Sequence, residues 1–393
     1  MRNDGDGSSA SLESLAAAVA AAVESEAFRP PAPRATSSRR ALRLAQTRIT
    51  LVFDALAVVA GVRSGAMLDY CPGLEPEAAA SLAAAASEKF ASAFPASADD
   101  DGDTSPGDAS SVVIAAHLDG CCYLLNSRLL GREPAAPPPP LASKFEPNSS
   151  SFPSSSGAFS ATAPLQIVFR GDPLCARWGE SESEGRELAE ALAPLAAAVK
   201  AVAARKSKRE SSLSSSSFVF LDLDQMTSLP TAPALNAFLL GYPVAYSVGD
   251  REEAALASRA LRSGGGSETS TLALVTLTVR ALSPPSLSPS PSVASARAKL
   301  CSFSIPLHLW EELTTRRSEG EEEGEEEDDA EEEGDKKEGN RDTFVSLWVE
   351  SVRASAVCRN SNSKITNSPL ACLFRGEGLE ASVEFVDSGG VTM

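Results

Sequence analysis

The stretch SFVFLDLDQMTSLPTAPALNAFLLGYPVAY, residues 217–246, is the best guide to fold class, because it is the longest part of the chain free of filler composition. It reads as strand, loop, short helix and strand. Residues 218–223 form an apolar and aromatic run closed by Asp222 and Asp224, the pattern of a strand buried on both faces whose carboxyl end emerges at a rim. Pro230 and Pro233 frame a helix start, Phe238, Leu239 and Leu240 bury, and Gly241 stands where a helix-ending glycine belongs. Residues 242–248 then return as a strand.

Upstream of this block, β-branched content predicts a strand over 48–54 (RITLVFD), and Pro76 sits near the first turn of an Ala-rich helix carrying Leu82, Phe90 and Phe94. Residues 112–118 and 121–126 flank Asp119-Gly120, the strongest short hairpin signal, so Asp119 is read as a turn residue. A strand over 165–169 precedes a helix with Leu188, Leu192, Leu195, Val199 and Val202 on one face, interrupted by Pro194. Downstream, Asp250 and Glu253 mark a further helix start, and strands are predicted over 271–279, 300–306 and 343–352. Strands interspersed with helices early, and in succession late, give an α/β fold: a single domain with a mixed, partly antiparallel central sheet flanked by helices.

Filler interrupts that domain. Low-complexity insertions fall at 99–111, 134–164, 206–217, 262–270, 283–292 and 318–340, each too polar or too rich in Pro, Ser or Gly to bury the apolar area that ordering requires. The division is a disordered or helical N-terminal extension over 1–40, one α/β domain over 41–386, and a tail over 387–393. Although the net charge is −18, residues 319–338 hold 14 acidic residues against two lysines, 12 of those charges, which leaves −6 for everything else. A mildly acidic folded part lacks the basic face that nucleic acid would need. The acidic run itself reads as a solvated linker.

Seven cysteines, Cys71, Cys121, Cys122, Cys175, Cys301, Cys358 and Cys372, show no C-x-x-C spacing, and the odd count suits a reducing compartment. The only histidines, His117 and His308, both lie among apolar neighbours and are read as structural. Residues 14–23 are too short to span a bilayer, and the acidic residues around them suit neither a secretory signal nor a transit peptide. The expectation is a cytoplasmic protein, with nuclear access open, and no membrane partner.

Asp222 and Asp224 are two apart, so on a strand they point to the same side, and two such carboxylates at a strand's carboxyl end can hold Mg²⁺ or Mn²⁺ with a substrate phosphate. FVFLDLD resembles the first motif of haloacid-dehalogenase-like phosphatases, which implies Asp222 as nucleophile and Asp224 as general acid/base. It also resembles the aspartate-x-aspartate motif of glycosyltransferases that hold a nucleotide-sugar through a metal. The chain departs from the first at Gln225-Met226-Thr227 and has no lysine between Asp224 and Lys299; for the second, no glycine-rich or histidine-bearing acceptor motif is found downstream. Phosphate-binding glycine loops and the nucleophile elbow are also missing.

A longer resemblance rests on LPTAPALNAFLLGYPV at 229–244, the apolar strand at 272–279 and FSIP at 303–306. Together these resemble the uncharacterised family of the chromosome 1 open reading frame 74 protein. The resemblance implies one domain of unknown function over about 42–385 and carries no activity. The expected function is therefore a non-catalytic binding or adaptor module with a protein or small-molecule partner and no cofactor. Asn236, Tyr242 and Tyr246 are its candidate ligand-pocket residues. The alternative is a metal-dependent phosphoryl or glycosyl transferase or phosphatase using Asp222 and Asp224, with Mg or Mn.

Overall fold

The computed structural model describes residues 17, 19–21, 23, 38–71, 74–93, 113–131, 165–170, 175–179, 182–210, 220–227, 229–248, 252–253, 256, 271–280, 297–315, 341–355 and 379–387. The insertion at 206–217 overlaps them only at 206–210, which continue a helix; the other five insertions, Phe94 and Asp250 lie outside them. Among the described residues, ten strands fall in three sheets, one of four strands and two of three. The α/β class with mixed sheets is what the chain adopts, with the strands divided among three sheets rather than gathered in one.

The first sheet positions the site. It consists of β1 (Gly65–Met67), β3 (Cys121–Asn126), β2 (Val113–Leu118) and β6 (Phe220–Asp222). β2 and β3 form the expected hairpin, with Asp119 at φ 49° and Gly120 at φ 78°, and β6 joins β2 in parallel with Asp222 opposite His117. The alternation of side chains along these strands sorts them between two apolar clusters. Val113, Ala115, Cys122 and Leu124 bury against helices α1 (Ser38–Val59) and α2 (Pro76–Ala93); Ile114, Ala116, Tyr123 and Leu125 bury against α4 (Glu182–Glu210) and α5 (Ala232–Leu240). The sheet is thus covered on both faces, as the apolar run leading to Asp222 requires. A one-turn helix, α3 (Ser127–Leu130), comes directly after β3.

Two segments read as strands are helices. Residues 48–54 belong to α1, in which every residue from Leu51 to Val59 is buried. A helix enclosed on all sides shows no amphipathic period, and the β-branched preference of Ile49, Thr50 and Val52 is worth only tenths of a kcal/mol per residue, far below what core burial gives. Its end is a Schellman motif: Gly61, at φ 71°, donates to the Val58 carbonyl and Val62 to that of Ala57. Residues 343–352 lie in α7 (Arg341–Ser355), where Phe344, Trp348 and Val352 recur at helical spacing against the third sheet.

That third sheet is antiparallel, with β8 (Thr271–Arg280) between β9 (Arg297–Pro306) and β10 (Leu379–Asp387). Helix α6 (Leu307–Thr315) continues from β9 and buries Trp310, whose ring meets Phe344 edge-on at 6.3 Å. The second sheet pairs β4 (Leu165–Arg170) with β5 (Cys175–Trp178) antiparallel and with β7 (Val244–Ser247) in parallel. No helix among the described residues is long and apolar enough to cross a membrane.

Candidate functional site

β2 and β6 run in the same direction, so their carboxyl ends open at one rim, and the residues placed there are His117, Asp222 and Asp224. Adjacent parallel strand ends are where open α/β sheets gather ligand-binding groups. The two aspartates do not share a strand face, as their spacing predicted. β6 stops at Asp222, whose carboxylate Oδ1 accepts the backbone N–H of Asp224 at 3.1 Å and so caps a 3₁₀ turn over Leu223–Gln225. A short acceptor side chain at that position diverts the backbone from the strand. The buried Leu223 anchors the turn, and Met226 N–H closes it onto the Leu223 carbonyl at 3.0 Å.

The turn carries Asp224 across the end of β2. One carboxylate oxygen, Oδ1, accepts the backbone N–H of Asp119 at 3.0 Å, and the other, Oδ2, lies 3.1 Å from His117 Nδ1. Asp119 is the turn residue its sequence context indicated, and it contributes to the rim through its backbone. His117 was expected to be structural, yet it faces the aspartate pair. One imidazole nitrogen and one oxygen from each carboxylate lie within 4.8 Å of one another, a spacing that could hold a single metal ion. The signal available in sequence was the hairpin itself, which sets His117 two residues before the Asp119-Gly120 turn and hence at the strand end. What it could not show was that β6 pairs beside β2.

The three proposed pocket residues are engaged on other elements. Asn236 accepts the Tyr123 hydroxyl at 3.1 Å across the sheet-to-α5 interface. Tyr246 is buried, stacks on Phe169 at 6.0 Å, and donates its hydroxyl to the Ser304 carbonyl of β9 at 2.7 Å. Tyr242 packs against Phe303 at 6.1 Å, and burial pushes its hydroxyl up to about 12. His308, also read as structural, lies on α6 with Nε2 3.0 Å from the Ala176 carbonyl of β5.

Compared with known protein families, with curated proteins and with solved structures, the chain matches none of them. Its own architecture defines its class: an α/β protein with a mixed imidazole and carboxylate cluster at the carboxyl ends of two parallel strands.

Proposed function

We propose that the protein is a binding module that takes a divalent cation between His117, Asp222 and Asp224 and, through the positions the protein leaves open on that ion, an anionic ligand or partner group. The observation that supports this reading is the convergence of three ligand atoms within 4.8 Å from two adjacent strand ends and a capped turn. One imidazole and two carboxylates suit Mn²⁺ or Zn²⁺ better than Ca²⁺, which prefers an all-oxygen cage. Three protein ligands leave at least one position for water or for an incoming oxygen. The resemblance of 229–244 to the chromosome 1 open reading frame 74 family enters this reading as relatedness.

The alternative, phosphoryl or glycosyl transfer, draws on the position of the carboxylates at parallel strand ends. Against it, Asp222 is held by the turn it caps and Asp224 by Asp119 and His117. A carboxylate nucleophile attacks through one unencumbered oxygen, and Asp224 has both of its oxygens engaged.

Calorimetric titration of Mn²⁺, Zn²⁺ and Mg²⁺ into the full chain, with Asp224→Asn and His117→Ala alongside, tests the reading; the acidic run at 319–338 is common to all three proteins, so its weak cation binding cancels in the comparison. One saturable site that both substitutions weaken at least tenfold supports it. Equal binding by all three proteins refutes it. Metal-dependent hydrolysis of an aryl phosphate, lost in Asp222→Asn, would move the assignment to the enzyme reading.

A further inference from the structure

The interior holds a second polar constellation that the rim does not use. Asp54, on the buried end of α1, pairs with the guanidinium Nη1 of Arg63 and accepts the Tyr70 hydroxyl at 2.6 Å. Arg63 is nine-tenths buried, and its Nε has no hydrogen-bond partner among the described residues. A guanidinium presents five donors in a rigid fork, so one carboxylate on one nitrogen leaves the opposite edge unused. Burying that edge bare costs stability that a chain recovers only if something accepts those hydrogens.

Beside Arg63 lies a cavity of about 30 Å³, walled by Ser64, Gly241, Leu277, Cys301 and Trp348 among others. It sits where the α1–β1 loop and the α5–β7 turn meet the third sheet and α7. At roughly 10–15 Å³ for each water, the space has room for two or three waters or the head group of one small oxyanion. Its polar wall is rich in donors: the Arg63 guanidinium, the buried Ser64 hydroxyl and the Cys301 thiol. Gly241 packs closely on Ser64 at this wall: a Cβ there would stand 2.6 Å from Ser64 Oγ.

The charge around the cavity favours an anion. Burial pushes the Cys301 thiol up to about 11; of the charges acting on it, Arg63 and Lys299 pull it down, and Asp54, the smallest of the three, pushes it up. Two cations thus act on that sulfur more strongly than the one carboxylate does, and Asp54 pairs with Arg63 through Nη1.

We propose that this cavity is a binding site for a small oxyanion, a phosphate or carboxylate head group, received by the free edge of the Arg63 guanidinium and by the Ser64 hydroxyl. Two flat carboxylate or phosphate oxygens match that edge in bidentate fashion. The site is separate from the rim and does not depend on a cation there.

The test is calorimetric titration of sodium phosphate and, separately, sodium acetate into the full chain at constant ionic strength, with the emission of the cavity-wall Trp348 followed in parallel against a Trp348→Phe control. Arg63→Lys keeps a charge for Asp54 and removes the fork; Ser64→Ala removes one donor and leaves the ion pair intact. The expected result is one saturable site for at least one anion, weakened about tenfold or more in Arg63→Lys and severalfold in Ser64→Ala. Binding of phosphate alone assigns a phosphoryl ligand, and of acetate alone a carboxylate. No saturable binding of either anion, or binding that folded Ser64→Ala and Arg63→Lys both retain in full, overturns the proposal. If circular dichroism shows Arg63→Lys unfolded, Ser64→Ala decides alone.

Discussion

His117 Nδ1 stands 3.1 Å from Asp224 Oδ2 across the ends of two parallel strands, although the residues come from a hairpin and from a turn far along the chain. The side chains are 24% and 37% exposed, so the pair gains little from Coulomb attraction in solvent. Asp224→Asn keeps an oxygen for the Asp119 N–H and loses the charge. Denaturant unfolding is expected to shift by no more than about 1 kcal/mol, while the calorimetric signal for Mn²⁺ falls to background. A loss of several kcal/mol would instead make the pair a structural element.

Asn126 is the polar residue on which the α1 end, β3 and α3 converge. It is fully buried, its amide donates to the Val58 carbonyl at 2.7 Å, and its oxygen accepts the N–H groups of Arg128 and Leu129 at 3.1 and 3.2 Å. Asn126→Ala loses a cap and one of the two donors on the Val58 carbonyl, which keeps the Gly61 N–H, at a cost of about 1–3 kcal/mol. Asn126→Asp keeps the cap acceptor and cannot donate to Val58, so it buries a charge facing a carbonyl. It is expected to be the less stable of the two by urea unfolding at neutral pH. The order is expected to reverse or close in acid, where the introduced carboxyl is protonated and can donate.

Two glycines are held by different constraints, which substitution separates. At Gly241 the backbone is left-handed, φ 71°, and the nearest atom to an added Cβ is the Ser64 hydroxyl at 2.6 Å, an end that can rotate away. At Gly65 the obstacle is the Leu239 carbonyl, which is closer still and belongs to the backbone. Gly241→Ala is expected to cost about 1–2 kcal/mol of conformational strain. Gly65→Ala must displace β1 from α5 and is expected to lose the cooperative unfolding transition or to lower it by more than Gly241→Ala does. Equal effects in thermal melts would contradict this reading of the contacts.

The parts legible in sequence are those where local chemistry and tertiary demand agree. Asp119-Gly120 fixed its hairpin, Pro76 opened α2, and Gly241 closed α5 with the Tyr242 N–H returning to the Ala237 carbonyl at 2.8 Å. The failures have separate causes: over 51–54 every residue is buried, so the helix shows no period and β-branched content points to a strand, whereas 343–352 reads as a strand by an imperfect alternation that overrides the helical spacing of Phe344, Trp348 and Val352. The two aspartates were visible as a rim. Their convergence with His117 depends on the parallel pairing of β2 with β6, a long-range contact that spacing along the chain does not encode. The Asp54–Arg63–Tyr70 network was missed for a related reason: Asp54 ended a segment assigned to the wrong element.

The buried thiols give the fold an alkaline limit. Burial raises Cys71, Cys122 and Cys301 from 9.0 to about 11 each, so the folded state holds these protons to higher pH than the unfolded chain does. Their stabilisation is present in full below about pH 9 and is lost as pH rises to about 11, with a slope of at most about 1.4 kcal/mol per pH unit for each thiol. Tyr123 and Tyr242, raised by burial from 10.0 to about 12, extend the decline upward. Asp54 is also raised by burial, but its contribution belongs to lower pH, since it is lost as the carboxyl ionises. Guanidinium unfolding under reducing conditions from pH 7 to 11 is therefore expected to show a decline beginning near pH 9. That decline should be shallower in Cys122→Ala, which removes the thiol with the least exposed side chain among those described, even though its stability at pH 7 is lower. A profile that stays level to pH 11, or a slope that Cys122→Ala leaves unchanged, would show that these thiols meet solvent in the native state.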